Sequence, residues 1–555
     1  MISPPVAREF AAIVCGLKQA RVEEGMGQPG IRSVLAAAAL LLATPPAHAQ
    51  KSGGILRMLH GDSPASMSIL EESTIVSEGP IMAVFNNLVL FDQHIAQNSL
   101  DTIRPELATD WAWNDDHTVL TMHLHQGVKW HDGVPFTAAD VKCTWNLLQG
   151  KGAEKMRINP RKSWWDNLDE VTANGGFEVS FRLKRPQPSF IALIASGWSP
   201  VYPCHVPPRE MRQHPIGTGP FKFVEFKPNE RITLTRNTDY WQPGRPYLEG
   251  IEYTIIRDAS TGILALGAHQ FDHLGVGFTP VALLKDIQSA APQLNCEVDA
   301  WNASRTAIVN ETKPPFDNPD LRRAVALTLD RKPFIDIIGN GQGEIGATMQ
   351  PAPEGVWGMP AEMLATLPGY GPDIAANRVV ARKLMEKAGY GPDKHLSLTV
   401  ATRNVAAYRD PAVILADQLK EIYIDGTLDI VDTTQWYPKV MRKDYALGFT
   451  VTESGLDDPD QNFYENYSCK SERNYTGYCN PEVDGLIDEQ SAEPDGDKRR
   501  QIVWQIERRL AEDGGRPIIF HPKSVHCWYP EVKGFTVMVN SNYNGWRMED
   551  VWLDR

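Results

Sequence analysis

Apolar and polar residues alternate from Thr118 to His125, the two-residue period of a half-buried strand. His131-Asp132-Gly133 follows as a turn. Thr137 then opens a run in which Val141, Trp145 and Leu148 recur at helical spacing, with Asp140 at the capping-box position. Segment 215–241 predicts a hairpin, with Phe221 and Phe223 on one strand, Ile232 and Leu234 on the return, and Lys227-Pro228-Asn229-Glu230 turning between them. Earlier, GGILRML reads as a strand ending at His60-Gly61-Asp62, where a loop of small polar residues begins. Pro319 marks a helix start, and the pattern predicts two helices by Ile338. A helix over 411–421 leads into the strand Thr427–Val431. Residues 499–511 form an amphipathic helix whose clustered arginines are expected to face solvent, and a strand-like tail ends at Arg555. Strands and helices alternate with no repeat or low-complexity linker, which predicts a mixed α/β protein.

One stretch is strongly apolar, Ser33 to Thr44, well short of the roughly 20 residues a membrane span needs. Arg32 precedes it and Ala47-His48-Ala49 follows, the order of a secretory signal cleaved before Gln50. Residues 1–49 are therefore expected to be a leader; a start at Met26 would give it ordinary length. No Cys follows the cleavage site, so neither a lipid anchor nor membrane insertion is expected. At 555 residues the chain is long enough for several lobes, and its formal charge of −14 lacks the basic footprint of a nucleic-acid binder. Export gives the cysteines meaning. Cys469 and Cys479 close a short polar segment, and a bridge there would contribute on the order of 2–3 kcal/mol. The spacing of Cys143, Cys204, Cys296 and Cys527 suggests no pairing.

Searches for catalytic patterns fail: HExxH, GxSxG and the phosphate-binding loop are all missing. Gly341, Gly343 and Gly346 match GxGxxG, but Pro351 and Pro353 follow too soon for the helix a dinucleotide requires. His123 and His125 share one strand face, opposite Met122 and Leu124, and read with His131 as solvated positions rather than a metal site. No metal or cofactor is expected. Asp457, Asp458, Asp460 and Glu465 lack the order that wraps calcium and read as a solvated loop; the sharper alternative is a cleft carboxylate for a ligand ammonium. A hydrolase using Glu453, Asp457 or Asp458 as acid and base is the rival from another class.

Four segments resemble one family. GVKWHDGVPFTAADV (127–141), the hairpin 217–241, PFDNPDLRRAVALTLDR (315–331), and DDPDQNFYENYSC with NYTGYCN (457–480) are similar to signatures of the family 5, or cluster C, solute-binding proteins of ABC importers. That family includes dipeptide-, oligopeptide- and nickel-binding proteins, and the last segment is similar to the dipeptide branch, where matching cysteines are paired. The resemblance implies a type II two-lobed α/β fold with the ligand enclosed between the lobes. The first lobe would take 50–79, 214–305 and 524–555 as its core and 80–213 as an extra subdomain, and the second lobe would take 306–523. It further implies a periplasmic monomer of a Gram-negative cell, without enzymatic activity, that hands a peptide or peptide-like solute to membrane permease subunits. A metal chelate, as in the nickel-binding branch, is the alternative.

The resemblance also implies where the ligand sits. Aligned on Asp458-Pro459-Asp460, Gly455 stands where the dipeptide branch has its ammonium-binding Asp, and Thr452 where it has a Trp. Glu453 or Asp457 would then supply the carboxylate. Trp436 matches a family aromatic, and Arg442 falls near an arginine that holds the chelate in the nickel branch. Arg403 and Tyr408 begin the loop after SLTVAT and are expected to face the cleft. The loop from His60 to Met67 would be the first lobe's contribution.

Overall fold

The strand Ile55–His60 starts the first lobe's sheet and pairs in parallel with Gly250–Ile255. That strand runs antiparallel to Arg231–Arg236, which returns from Phe221–Lys227. Asn229 turns this hairpin with φ 63°, a left-handed value that Asn tolerates. Phe221, Ile232 and Leu234 are buried, whereas Phe223 is half-buried because a bulge before Glu225 breaks the alternation. The computed structural model describes residues 50–275 and 279–555, and 50–555 form one compact unit. The leader lies outside the described residues.

The subdomain of the first lobe is an antiparallel sheet in the order Ala108–Trp113, Val119–Leu124, Glu178–Leu183, Leu168–Ala173. The helix Ala138–Leu148 packs on it, and the Thr137 amide donates to the Asp140 carboxylate at 2.9 Å. Trp145 lies edge-on to Phe181 at 5.0 Å and to Trp165 at 5.7 Å. Full burial of such a side chain stabilises by roughly 1.5–3 kcal/mol. Cys143 on this helix is bridged to Cys204.

The second sheet runs in the order Asn295–Ala300, Ile518–Trp528, Ala303–Val309, Leu447–Glu453, Leu396–Arg403, Ile424–Val431. Two of its segments connect the lobes. Asn295–Ala300 continues through Trp301 and Asn302 into Ala303–Val309. Ile518–Trp528 pairs with Ala303–Val309 at one end, and at the other Trp528 bridges to His273, which bridges to Met58 of the first sheet. Cys296 and Cys527 are register partners on these crossing strands and are bridged. Asn318 and Asp330 cap the helices Pro319–Thr328 and Arg331–Ile338. The helix expected at 411 begins instead at Ala406 and carries Pro411 inside. Pro411 is the sixth residue of this helix, past the first turn, so its missing amide leaves the Ala407 carbonyl without its helical donor. Gly343–Glu344 pairs with the Ile518–Trp528 strand, so no helix opens at the glycine-rich stretch.

Candidate ligand-binding site

The strands Leu396–Arg403 and Leu447–Glu453 run parallel, and their C-terminal ends face the first lobe. Arg403 is fully buried, and its Nη2 reaches Asp62 Oδ2 at 2.6 Å, in the loop after the strand Ile55–His60. Thr433 Oγ1 donates to the same oxygen at 2.5 Å. Arg257 of the first lobe approaches Asp62 Oδ1 at 2.8 Å and Asp432 of the second at 3.5 Å. Burial works against the Asp62 charge, but Arg403, Thr433 and Arg257 together hold its carboxyl below the ordinary range. This cluster ties the two lobes together. Tyr408 lies in the first turns of its helix rather than on a loop, and its hydroxyl accepts from Arg403 Nη1 at 3.4 Å. His60 is packed beneath the site, its Nε2 bonded to the Val76 carbonyl at 2.9 Å; burial pushes its pKa down to about 4, so it is neutral at pH 7.

Glu453 ends its strand buried, and its Oε2 accepts a hydrogen bond from Tyr543 in the first lobe's tail. Its Oε1 has no hydrogen-bond partner among the described residues, and burial raises its pKa despite the tyrosine. The Tyr543 ring also explains Gly455: a Cβ there would lie 2.7 Å from Tyr543 Cδ2, so no carboxylate side chain fits at that position. Trp198 meets the Tyr543 ring at 4.8 Å, and Arg161 stacks on Trp198 at 3.9 Å. Glu78, fully buried in the helix Ile75–Met82, has no hydrogen-bond partner for either oxygen among the described residues, and burial pushes its pKa well up. Arg473 pairs with Glu465 at 2.6 Å. Sequence reasoning missed Glu78, Arg161, Arg305, Arg473, Arg516 and Tyr543. A lone cation in the otherwise uncharged strand ASRTAIV was the one signal that could have pointed to Arg305.

The acidic run is not a solvated loop. Asp458 and Asp460 are buried at the start of the helix Pro459–Asn466 and pair with Arg499 at 2.8 and 3.4 Å. Arg499 therefore turns inward from the helix Gly496–Asp513, while Arg509 stays exposed. Asp460 also accepts from Gln187 of the first lobe's subdomain at 2.7 Å. Asp457 accepts from the Val356 amide at 2.9 Å, and burial pushes its pKa up to about 7. Trp436 is packed in a small apolar core with Ile308, Ala401 and Val440, out of the cleft. Arg442 is exposed at the C-terminal end of the helix Thr433–Met441. Cys469 and Cys479 are bridged.

The three histidines do not converge. His123 is exposed and bonded to Asp110 at 2.6 Å, His125 lies against Trp241, and His131 is bonded to the Gly219 carbonyl. Among the described residues, His269, Asp272 and Glu531 bring possible metal ligands within 4.8 Å of one another. Arg57 and Arg555 already hold Asp272 at 2.7 and 3.0 Å, so its charge is neutralised. No helix among the described residues is long and apolar enough to cross a membrane.

Charged groups from both lobes, buried where two crossing segments join them, define a protein that captures a solute by closing on it. The chain belongs to the bacterial extracellular solute-binding proteins, family 5, and matches the family's middle region over residues 102–474. It is a binding protein and not an enzyme; Asp458, offered above as an acid or base, is occupied by Arg499. The chain is 28% identical to the oligopeptide-binding protein AppA of Bacillus subtilis over 432 residues, 74% of this chain and 76% of that one. The fold is similar to that of the periplasmic binding protein DppA from Helicobacter pylori in complex with the peptide STSA, with TM-score 0.78 and 22% identity over 91% of this chain and 99% of that one. It is equally similar to AgaA from A. tumefacien R10 in complex with agropinic acid, with TM-score 0.78 and 21% identity over 90% and 99% of the two chains.

Proposed function

We propose that this chain is the periplasmic receptor of an ABC importer, which captures a peptide or peptide-like, amino-bearing solute and delivers it to membrane permease subunits. The observation that carries this reading is Glu453, a buried carboxylate with one oxygen on Tyr543 and the other unpartnered, at the strand end where the lobes meet. An ammonium supplies the missing donor and charge, and closure strengthens that pairing by excluding water. Micromolar capture requires about −8 kcal/mol after the cost of closing, within reach of a few charged anchors and aromatic contacts. AppA and DppA support a peptide, and AgaA keeps a non-peptide solute within the range of the fold. The leader expected over residues 1–49 fits a periplasmic protein. His123, His125 and His131 each have separate partners and do not assemble a site for a metal chelate.

Native mass spectrometry of residues 50–555 purified from periplasm tests the reading. The expected result is an adduct that fragments by amino-acid losses and is diminished in Glu453→Gln. A metal-containing or sugar-like mass would overturn the peptide reading.

A further inference from the structure

Among the described residues four of the eight buried arginines pair with carboxylates: Arg403 with Asp62, Arg473 with Glu465, Arg499 with Asp458 and Arg547 with Glu106. Arg305 is different. It is 3% exposed on the crossing strand Ala303–Val309, two residues in from the end where Ala303 pairs with Glu453. Its guanidinium lies over the Trp301 ring at 5.2 Å, and its Nε and Nη1 donate to nothing among the described residues. Glu453 and Tyr408 lie within electrostatic reach, and burial lowers the Arg305 pKa only to about 10, so it stays charged at neutral pH.

Two more buried guanidinium groups share this arrangement. Arg161 gives Nη2 to the carbonyls of Ile69, Leu70 and Glu72, and its Nε and Nη1 are unpartnered. Arg516 gives Nη2 to Thr452 Oγ1 at 2.7 Å and likewise leaves Nε and Nη1 unpartnered. Three carboxyl groups of the region keep an oxygen without a partner among the described residues, Glu78, Glu453 and Glu465; burial pushes all three towards their neutral forms, and Glu465 already balances Arg473. The protein therefore holds more open positive charge at its closing face than it can neutralise. A buried charge without a partner is strongly unfavourable unless something binds it, and a planar carboxylate matches the guanidinium fork.

We propose that the solute is acidic: besides the amino group that meets Glu453 it carries a carboxylate held by Nε and Nη1 of Arg305, with Arg161 and Arg516 favouring further negative charge. This rests on the peptide-like reading above and narrows it to carboxylate-rich amino compounds.

Calorimetric titration of residues 50–555 with Ala-Glu against Ala-Gln, Ala-Ala-Glu against Ala-Ala-Gln, and succinate tests it. The acidic peptide of a pair is expected to bind at least tenfold more tightly than its amide. Arg305→Met should abolish that ratio, and Arg305→Lys should keep part of it. Ligand-free Arg305→Met is expected to melt at a higher temperature than the parent, because an uncompensated buried charge is gone; a merely structural arginine would give the opposite shift. If Arg305→Met does not fold, the ratios on the parent and on Arg305→Lys decide. Equal binding of acid and amide would overturn the acidic solute while leaving the peptide reading intact. Arg305-dependent binding of succinate without any peptide binding would uphold the anion site and overturn the peptide reading. No binding of any probe would overturn both.

Discussion

Glu507 shows what a single buried carboxylate does to this protein's pH response. One oxygen accepts from the Met349 amide at 2.8 Å, and burial pushes the pKa up to about 8. The folded state thus holds its proton more tightly than the unfolded chain, whose Glu titrates near 4.3. The stability this proton confers is complete below pH ~4.3 and is lost as pH rises towards about 8. Glu507→Gln keeps an acceptor for Met349 without the charge. Melting midpoints from pH 5 to 9 should therefore fall less steeply in the variant, with a gain on the order of 4–5 kcal/mol at pH 8. Legibility at this scale was uneven. Glu453 was a candidate only through the family resemblance, which puts a ligand carboxylate in the loop that follows this strand. Arg499 was not, because its carboxylate partners Asp458 and Asp460 come from another helix about forty residues earlier in the chain.

Elements were more legible where local chemistry determines them. Asn318 and Asp330 accept from helix amides at their own N-termini, so both helices are specified within a few residues. The helix Ala406–Leu419 was misplaced because its start was set at Pro411, where proline is usually found, whereas burial of Ala407 and Tyr408 extends it one turn earlier in spite of the proline. The bridges Cys143–Cys204 and Cys296–Cys527 close separations of 61 and 231 residues, which only tertiary structure brings together. On loop-closure grounds the second should matter more than the first. Replacing Cys296 and Cys527 by Ser is expected to cost about 5 kcal/mol in urea unfolding, provided the reduced chain is the reference. Non-reducing peptide mapping of the parent should recover all three bridges.

At the scale of the whole molecule, buried charge ties the loop after Ile55–His60 to the far end of the second sheet. Asp62 is a first-lobe residue whose main partners, Arg403 and Thr433, belong to the second. Asp62→Asn leaves Arg403 buried without a counter-charge, a loss of roughly 3–5 kcal/mol. Small-angle scattering should then show a larger radius of gyration for the ligand-free variant. The double variant Asp62→Asn with Arg403→Met should recover part of the loss. Because the Asp62 pKa is depressed on folding, its contribution is present above the ordinary Asp range and disappears as pH falls below it, so acid should open the parent as well. Two lobes were legible through the family resemblance. The tie between them was not, since Asp62 and Arg403 are 341 residues apart.

The strand Ile518–Trp528 lies between Asn295–Ala300 and Ala303–Val309 in the second sheet and reaches the first through His273. A chain that emerges from an export channel N-terminus first delivers this strand almost last. Until then the crossing segments lack their common neighbour, and Cys296 has no Cys527 to join. Early segments must wait with apolar surface uncovered, which favours a folding event late in export over lobe-by-lobe assembly. Any truncation that removes the final forty residues should therefore cost the whole protein and not only its tail.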